Sequence, residues 1–295
     1  MPSLFLIWNP TAGKGDGTTA YKNAVAYLDS HKIPYTAAMT EYVGHATKLA
    51  KEAVDAGYEE ILILGGDGTI REAASSIIHT DAIMGLLPCG SGNDLVRPLH
   101  IPLDINKALD IALNGQIRKM DAGMANNELF FNVAGFGFDV DVLIHDQEFR
   151  AKGFKGSFSY LLGVLKSLKH FQLRKTHITF PEGEMDKDVL LIAAANGIAF
   201  GGGLTIAPGA DPFDGKFNVC VLHDVTKAAV PGLLAKFFSG KHIYTKYCTY
   251  FQTTELTAEA DPVSTMEVDG EILPGTPVTF KLLPGVIRVR VPSDI

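Results

Sequence analysis

The first third of the chain alternates short apolar runs with amphipathic stretches. Leu4–Trp8 is a continuous apolar run that ends in the turn residues Asn9-Pro10. Residues 21–30 carry a helical pattern, Tyr35–Met39 reads as a second strand, and residues 45–56 read as a helix that Gly57 terminates. Residues 60–64, Glu-Ile-Leu-Ile-Leu, form a buried strand running into Gly65-Gly66-Asp67-Gly68. A helix over 69–79, a strand over 82–87 and a helix over 105–113 follow. Strands without polar alternation are buried on both faces, so this order predicts a parallel sheet covered by helices. Such sheets bind ligands at the carboxyl ends of their strands, where the glycine-rich turns fall here.

From about residue 122 the texture changes. Eight β-rich runs (128–133, 175–180, 188–194, 216–222, 250–256, 264–268, 276–282 and 286–291) are separated by Gly, Pro and Asp turns, with two helical segments between them. This spacing predicts an antiparallel sandwich. The expected organisation is an α/β domain over 1–122 and an all-β domain over 123–295. Residues 189–210 hold no charge over nearly a membrane-span length, but Asn196, Gly197, Gly201-Gly202-Gly203 and Pro208 would break a helix there. A buried strand opening at Val189 is the expectation.

Composition narrows the function classes. With 46% apolar and 20% charged residues the chain has ample core, which excludes disorder and coiled coil. Cys89, Cys220 and Cys248 are far apart in sequence, so neither a disulfide framework nor a zinc cage is expected, and a reducing compartment fits them. No basic-then-apolar leader opens the sequence, so a soluble cytoplasmic protein is expected. A net charge of −7 argues against nucleic acid as a partner, because that affinity rests on phosphate neutralisation.

Three turns are candidates for holding phosphate. Asn9-Pro10-Thr11-Ala12-Gly13-Lys14-Gly15 lacks the Walker A pattern. Gly65-Gly66-Asp67-Gly68-Thr69 joins a strand to a helix whose N-terminal N–H groups suit an anion, and Asp67 there makes sense with a metal bridging it to phosphate. Gly90-Ser91-Gly92-Asn93-Asp94 repeats the construction. Any one of them reads as an ordinary turn with Asp or Asn as helix cap. Three at one sheet edge point to phosphate.

These turns, with Glu72, resemble the ordered motifs of the diacylglycerol-kinase catalytic-domain family of bacterial soluble lipid kinases, related to the sphingosine kinases. Pro208-Gly-Ala-Asp211-Pro-Phe-Asp214-Gly215 and Val268-Asp269-Gly270-Glu271 continue the likeness, which spans nearly the whole chain. Ser91 stands where Thr is common, and Leu95-Val96 where Phe-Ala is common. The resemblance implies a phosphofructokinase-like nucleotide domain followed by a β-sandwich. It implies ATP contacts at Asn9, Pro10, Thr11, Ala12, Gly13, Thr40, Gly66, Asp67, Gly68, Thr69, Ile70, Arg71, Glu72 and Ser91. It makes Asp67, backed by Asp94, the holder of a catalytic Mg2+, and Glu271 the general base on the substrate hydroxyl. A second, structural Mg2+ is implied at Asp211, Asp214 and the backbone of Lys216. From the residues alone, Asp269-Gly270-Glu271 also reads as a hairpin turn, and Asp211 with Asp214 as a solvated turn. No histidine is demanded, and the nine present show no HExxH spacing.

The charge distribution gives a hint of a lipid rather than a soluble substrate. Arg150, Lys152, Lys155, Lys166, Lys169, Arg174 and Lys175 fall in one stretch without an acid, and Lys227, Lys236, Lys241 and Lys246 in another. Each stretch carries a helix-period apolar stripe: Phe158, Leu161, Leu162, Leu165 and Leu168 in one, and Val230, Leu233, Leu234, Phe237 and Phe238 in the other. The stripes are expected to pack on the sandwich and the lysines to dock on an anionic membrane surface. The expected activity is phosphorylation of a lipid alcohol, diacylglycerol above others, to a phospholipid. A kinase of a soluble substrate such as NAD and a non-catalytic nucleotide- or lipid-binding regulator are the alternatives, and whether the chain forms a homodimer stays open.

Overall fold

A computed structural model describes residues 4–154, 156–201 and 203–293. The side chains of Lys14, Lys155 and Phe158, named above, fall outside what it describes. The chain divides into two compact units, each assembled from separate segments. The first comprises Met1–Ala122, Asp211–Gly215 and Leu283–Ile295, and the second Gly123–Ala210 and Lys216–Leu282. Where the sequence suggests two successive domains, two later segments thus rejoin the first unit.

In the first unit the strands are β1 (Leu4–Trp8), β2 (Tyr35–Met39), β3 (Glu60–Gly65) and β4 (Ile83–Pro88). They pair in parallel in the order β2-β1-β3-β4, with Leu4 level with both Tyr35 and Glu60, and Glu60 level with Ile83. The final strand of the chain, Val278–Val291, runs parallel to β4 at Arg288 and Val289. Arg290 fixes that return by pairing with Glu60 at 2.5 Å and donating to Gly115 O at 2.7 Å. Ile61 to Leu64 are fully buried, as a strand covered on both faces must be. The helices α1 (Ala12–Gly15), α2 (Gly17–Ser30), α3 (His45–Asp55), α4 (Asp67–Ile77) and α5 (Ile105–Asn114) follow the strands. They bury mainly alanines, Ala46, Ala50, Ala53, Ala73, Ala74, Ala108 and Ala112 among them. Small residues let the helices approach the sheet closely: a Cβ on Gly85 would stand 2.3 Å from Leu62 Cδ2 and 3.0 Å from Ala112 Cβ.

The second unit is built on an antiparallel sheet. Its central pairs join Val133–Gly137, Arg174–Phe180 and Phe217–His223 to the long strand Gly183–Ala195. The run over 189–195 that resembles a membrane segment in sequence is thus a strand interior, and no helix among the described residues is long and apolar enough to cross a membrane. Its residues alternate between two cores. Ile192 and Ala194 join Phe136, Phe217, Val219 and Phe280, whereas Leu191 and Ala193 join Cys220, Leu222, Val230, Leu233 and Phe237. The helices α6 (Phe138–Ala151), α7 (Gly156–Lys169) and α8 (Val230–Phe237) belong to this unit. Val230, Leu233 and Phe237 pack as their spacing predicts, while Leu161, Leu165 and Phe238 are exposed.

Asp139, in the first turn of α6, sets a pH dependence on stability. Burial pushes its carboxyl from the usual 3.8 to about 7, Asp141 adds to the rise, and Oδ1 is buried without accepting a hydrogen bond. A raised folded-state value means the proton is held more tightly in the folded protein. The group's stabilisation is therefore complete below about pH 4 and lost as pH rises through 7. Asp139→Asn is expected to be more stable than the wild type by up to about 4 kcal/mol at pH 8, with little gain at pH 4. Urea melts at both pH values check this; equal gains would assign the effect to packing.

Candidate active site at three glycine turns

The parallel sheet of the first unit brings the ends of β1, β3 and β4 to one edge, and the three turns interlock there. Asn9 N donates to Leu64 O at 3.0 Å and Cys89 N to Gly65 O at 2.9 Å. Gly66 and Gly90 touch through their backbones: a Cβ on Gly90 would lie 2.4 Å from Gly66 Cα. Gly13, at φ +58°, would place a Cβ 2.1 Å from Cys89 O. Only glycine permits approaches this close. A Cβ on Gly68, by contrast, meets nothing within 4 Å, so the backbone at the start of α4 faces open space.

Side chains then fasten turn to turn. Asn9 Oδ1 accepts from the N–H and hydroxyl of Thr11, both at 2.9 Å, and Asn9 Nδ2 donates to Thr69 Oγ1 at 2.9 Å. Asp67, the first residue of α4, accepts through Oδ1 from Asp94 N at 2.9 Å and Leu95 N at 3.3 Å. Asn93 closes the third turn on itself by accepting from Gly90 N and donating to Gly90 O, each at 2.8 Å. The other carboxylate oxygens converge beside Gly92, where a Cβ would stand 2.8 Å from Asp67 Oδ2 and 3.4 Å from Asp94 Oδ2. Asp94 also pairs through Oδ1 with Arg97 at 3.4 Å. Neighbouring carboxylate oxygens are the donor type that a hydrated divalent cation takes.

The remaining sequence candidates occupy distinct positions. Pro10 and Ala12 lie within the first turn, where Ala12 is buried and Thr11 exposed; Ser91 is exposed in the third. Thr40 is buried and donates its N–H to Trp8 O at 2.9 Å. Arg71 is half-buried on α4, whereas Ile70 is fully buried in the core. Glu72 accepts from Ala46 N at 3.2 Å, so its carboxylate serves the start of α3. Beside Gly13, Gly90 and Ser91 a cavity of about 530 Å³ opens, walled also by Asp16, Thr19 and Asn23 of the α2 region. Sequence reasoning missed these three, although their i, i+3, i+7 spacing marks a polar helix face.

Asp121 was also missed. It is buried in the first unit, accepts from Gly215 N at 2.8 Å and Gly285 N at 2.7 Å, and donates its own N–H to Pro212 O at 2.8 Å. Burial raises its pKa and those two N–H groups lower it, while the charges of Asp214 and Asp211 raise it further. Asp121 thus anchors the segment carrying Asp211 and Asp214, and Asp211 Oδ1 caps the turn by accepting from Phe213 N at 3.0 Å. Lys216 begins the next segment of the second unit. Among the described residues no three His, Cys, Asp or Glu side chains form a metal-ligating group.

In the second unit Glu271 is exposed and stands opposite Val268 in a tight hairpin, with Asp269 at φ 49° and Gly270 at φ 87°. The hairpin that Asp269-Gly270 announces is thus present. Asp269 holds the turn in place: its carboxylate accepts from Phe131 N at 2.8 Å, Asn132 N at 3.0 Å and Val133 N at 3.0 Å. Gly270 N donates to Glu267 Oε2 at 2.8 Å.

Comparisons with known proteins give the family of the chain. Residues 3–125 match the diacylglycerol kinase catalytic domain, and residues 132–291 the YegS C-terminal NAD kinase beta sandwich-like domain. A Yersinia enterocolitica protein named Probable lipid kinase YegS-like is 31% identical over 100% of this chain and 98% of its own. A Staphylococcus epidermidis diacylglycerol kinase is 26% identical over 98% of this chain and 92% of its own. A crystal structure of a diacylglycerol kinase from Bacillus anthracis shares the fold with a TM-score of 0.75 at 20% identity, covering 98% of this chain and 97% of that one. The chain therefore belongs to the kinase family that joins a diacylglycerol kinase catalytic domain to a YegS-type β-sandwich-like domain.

Proposed function

We propose that this protein transfers the γ-phosphoryl group of ATP to the hydroxyl of a lipid alcohol, with diacylglycerol as the preferred acceptor. The observation that carries the reading is the interlocked set of three glycine turns, with Asp67 tying the second to the third. Phosphoryl transfer asks for positioning and charge neutralisation rather than a covalent intermediate. The open backbone at Gly68 and the N-terminus of α4 offer N–H groups to phosphate oxygens. Asn9 and Thr69 hold the first two turns in register around it. Asp67 and Asp94 would hold Mg2+, which when bound neutralises phosphate charge. Glu271 takes the proton from the attacking hydroxyl. The names of the relatives support a lipid acceptor.

Transfer from γ-labelled ATP to a panel of lipid alcohols in mixed micelles, run beside NAD, tests the proposal. Label in the organic phase, greatest with diacylglycerol, is the expected result. Label on NAD alone would replace the lipid by a soluble substrate, and label nowhere would leave the non-catalytic regulator.

Asp211, Asp214 and the backbone of Lys216 would surround a second, stabilising Mg2+. A ligand bound only to the folded state stabilises it by linkage. Magnesium is expected to raise the wild-type melting temperature and to raise that of Asp214→Ala by clearly less; equal shifts remove the cation from this segment.

Docking on an anionic bilayer completes the reading, with a smaller basic surface than the sequence suggests. The helix pair sets acids of α6 beside three of the predicted lysines and arginines: Lys166 pairs with Glu148, Arg150 with Asp146 at 2.6 Å and Arg174 with Asp141 at 3.3 Å. Lys152 and Lys169 are exposed, as are Leu161 and Leu165 of α7. Each lysine near an anionic surface contributes about 1 kcal/mol, decaying within a Debye length of about 8–10 Å. Lys152→Glu/Lys169→Glu is therefore expected to lose binding to phosphatidylglycerol vesicles at least about tenfold at low salt. Activity on a short-chain, water-soluble diacylglycerol is expected to persist. Loss of both activities together would assign these lysines to the fold or the site.

A further inference from the structure

Two of the three cysteines meet. Cys220 and Cys248 lie on adjacent antiparallel strands, Phe217–His223 and Cys248–Thr253, with their sulfurs 3.7 Å apart. Cys220 stands opposite Tyr250 and Cys248 opposite Leu222, so the two thiols are diagonal neighbours on one face of the sheet. Cys220 is fully buried and Cys248 half-buried. The phosphoryl-transfer residues described above include neither.

We propose that Cys220 and Cys248 form a peroxide-responsive dithiol that closes reversibly into an interstrand disulfide. In the first step the Cys248 thiolate sulfur attacks one oxygen of the peroxide. The O–O bond breaks, Cys248 becomes a sulfenic acid, and the leaving hydroxide takes a proton to become water. In the second step the Cys220 sulfur attacks the Cys248 sulfur and the S–O bond breaks. The departing hydroxide leaves as water with the proton of the Cys220 thiol. Two thiols thus lose two electrons and two protons, and one peroxide becomes two waters. An external thiol reverses the change through a mixed disulfide.

The roles follow from the surroundings of each sulfur. The hydrogen bond shared by the pair holds the Cys248 thiol below its ordinary range and, with burial, pushes Cys220 above it. The more acidic thiol is therefore also the one nearer solvent, as an attacking sulfur must be. Cys89, beside the third glycine turn, has its thiol pushed up to about 11 by burial and is a poor competitor. Closure needs the sulfurs to approach from 3.7 Å to about 2.05 Å, a local tightening of two paired strands. The disulfide would clamp the base of the segment 221–247, which carries α8 with exposed Phe238 and Tyr244. It therefore acts on a different part of the chain from the glycine turns.

The full chain, treated with equimolar hydrogen peroxide and digested under acid, supplies the test. We expect intact mass to fall by about 2 Da, free thiols to drop from three to one, and a linked peptide pair containing Cys220 and Cys248. Dithiothreitol should restore all thiols, and the oxidised form should melt several degrees higher. Cys220→Ser should trap a dimedone adduct on Cys248. If peroxide leaves both thiols free, oxidises Cys89 first, or links only separate chains, the proposal is overturned. The wild-type peptide map decides the matter even where a variant folds poorly.

Discussion

Asp67→Asn is expected to slow phosphoryl transfer by at least about two orders of magnitude while leaving stability within about 1 kcal/mol of the wild type. The asparagine side-chain oxygen can still accept from Asp94 N and Leu95 N, so the second and third turns stay joined. What disappears is the negative charge beside Gly92, where Asp67 Oδ2 and Asp94 Oδ2 face the same spot. Asp67→Ala removes both functions. It is expected to lose as much activity and also about 1–3 kcal/mol of stability, because two backbone N–H groups lose their acceptor. Turnover at saturating magnesium, measured with urea melts of both variants, separates charge from scaffold. Near wild-type turnover in the asparagine variant would sink the metal-holding role.

The largest stability effect is expected at Asp269, two positions before the exposed acid that its turn presents. Asp269→Ala deprives Phe131 N, Asn132 N and Val133 N of their acceptor in a region where Phe131 and Val133 are buried. It also places alanine at φ 49°, a left-handed conformation that costs about 1–2 kcal/mol without glycine or asparagine. A total loss of about 3–5 kcal/mol is expected in chemical denaturation. Asp269→Asn tolerates the backbone and keeps one oxygen for Asn132 N and Val133 N, so about 1–2 kcal/mol is expected. Glu271→Gln offers the contrast, because its side chain is exposed. It is expected to lower kcat by at least about two orders of magnitude without moving the melt. A Glu271→Gln protein that is active but unstable would reverse the two roles.

The two acids of Asp-Gly-Glu show where sequence reading stops. The residue pair Asp269-Gly270 announces a hairpin because few residues accept positive φ, and that is local chemistry. That Asp269 holds three N–H groups well over a hundred positions earlier depends on which strands meet. The strand Gln116–Ala125 illustrates the same limit. Its first half alternates half-buried Gln116 and Arg118 with exposed Ile117 and Lys119, so no apolar run marks it. The runs predicted at 276–282 and 286–291 are one strand, Val278–Val291, in which Gly285 at φ 61° gives its N–H to Asp121.

The basic stretch carries the same lesson in electrostatic form. Counted along the chain, residues 149–175 hold no acid, yet folding α6 beside α7 supplies Glu148, and Asp146 and Asp141 take up Arg150 and Arg174. Charge runs in sequence describe composition, whereas surface potential depends on neighbours in space.

By itself the sequence determined the parallel α/β sheet, the β-rich second half and the three glycine turns. Each is written in local periodicity and in residues whose backbone or burial preferences act over a few positions. Tertiary structure decided which carboxylates tie distant backbone segments together. Asp67 and Asp269 are committed to distant N–H groups, Asp121 clasps the Asp211 segment, and Arg290 returns the last strand to Glu60. Those partners lie 27 to 230 positions apart, and only the closing of the backbone, which must satisfy its buried N–H groups, brings them within reach.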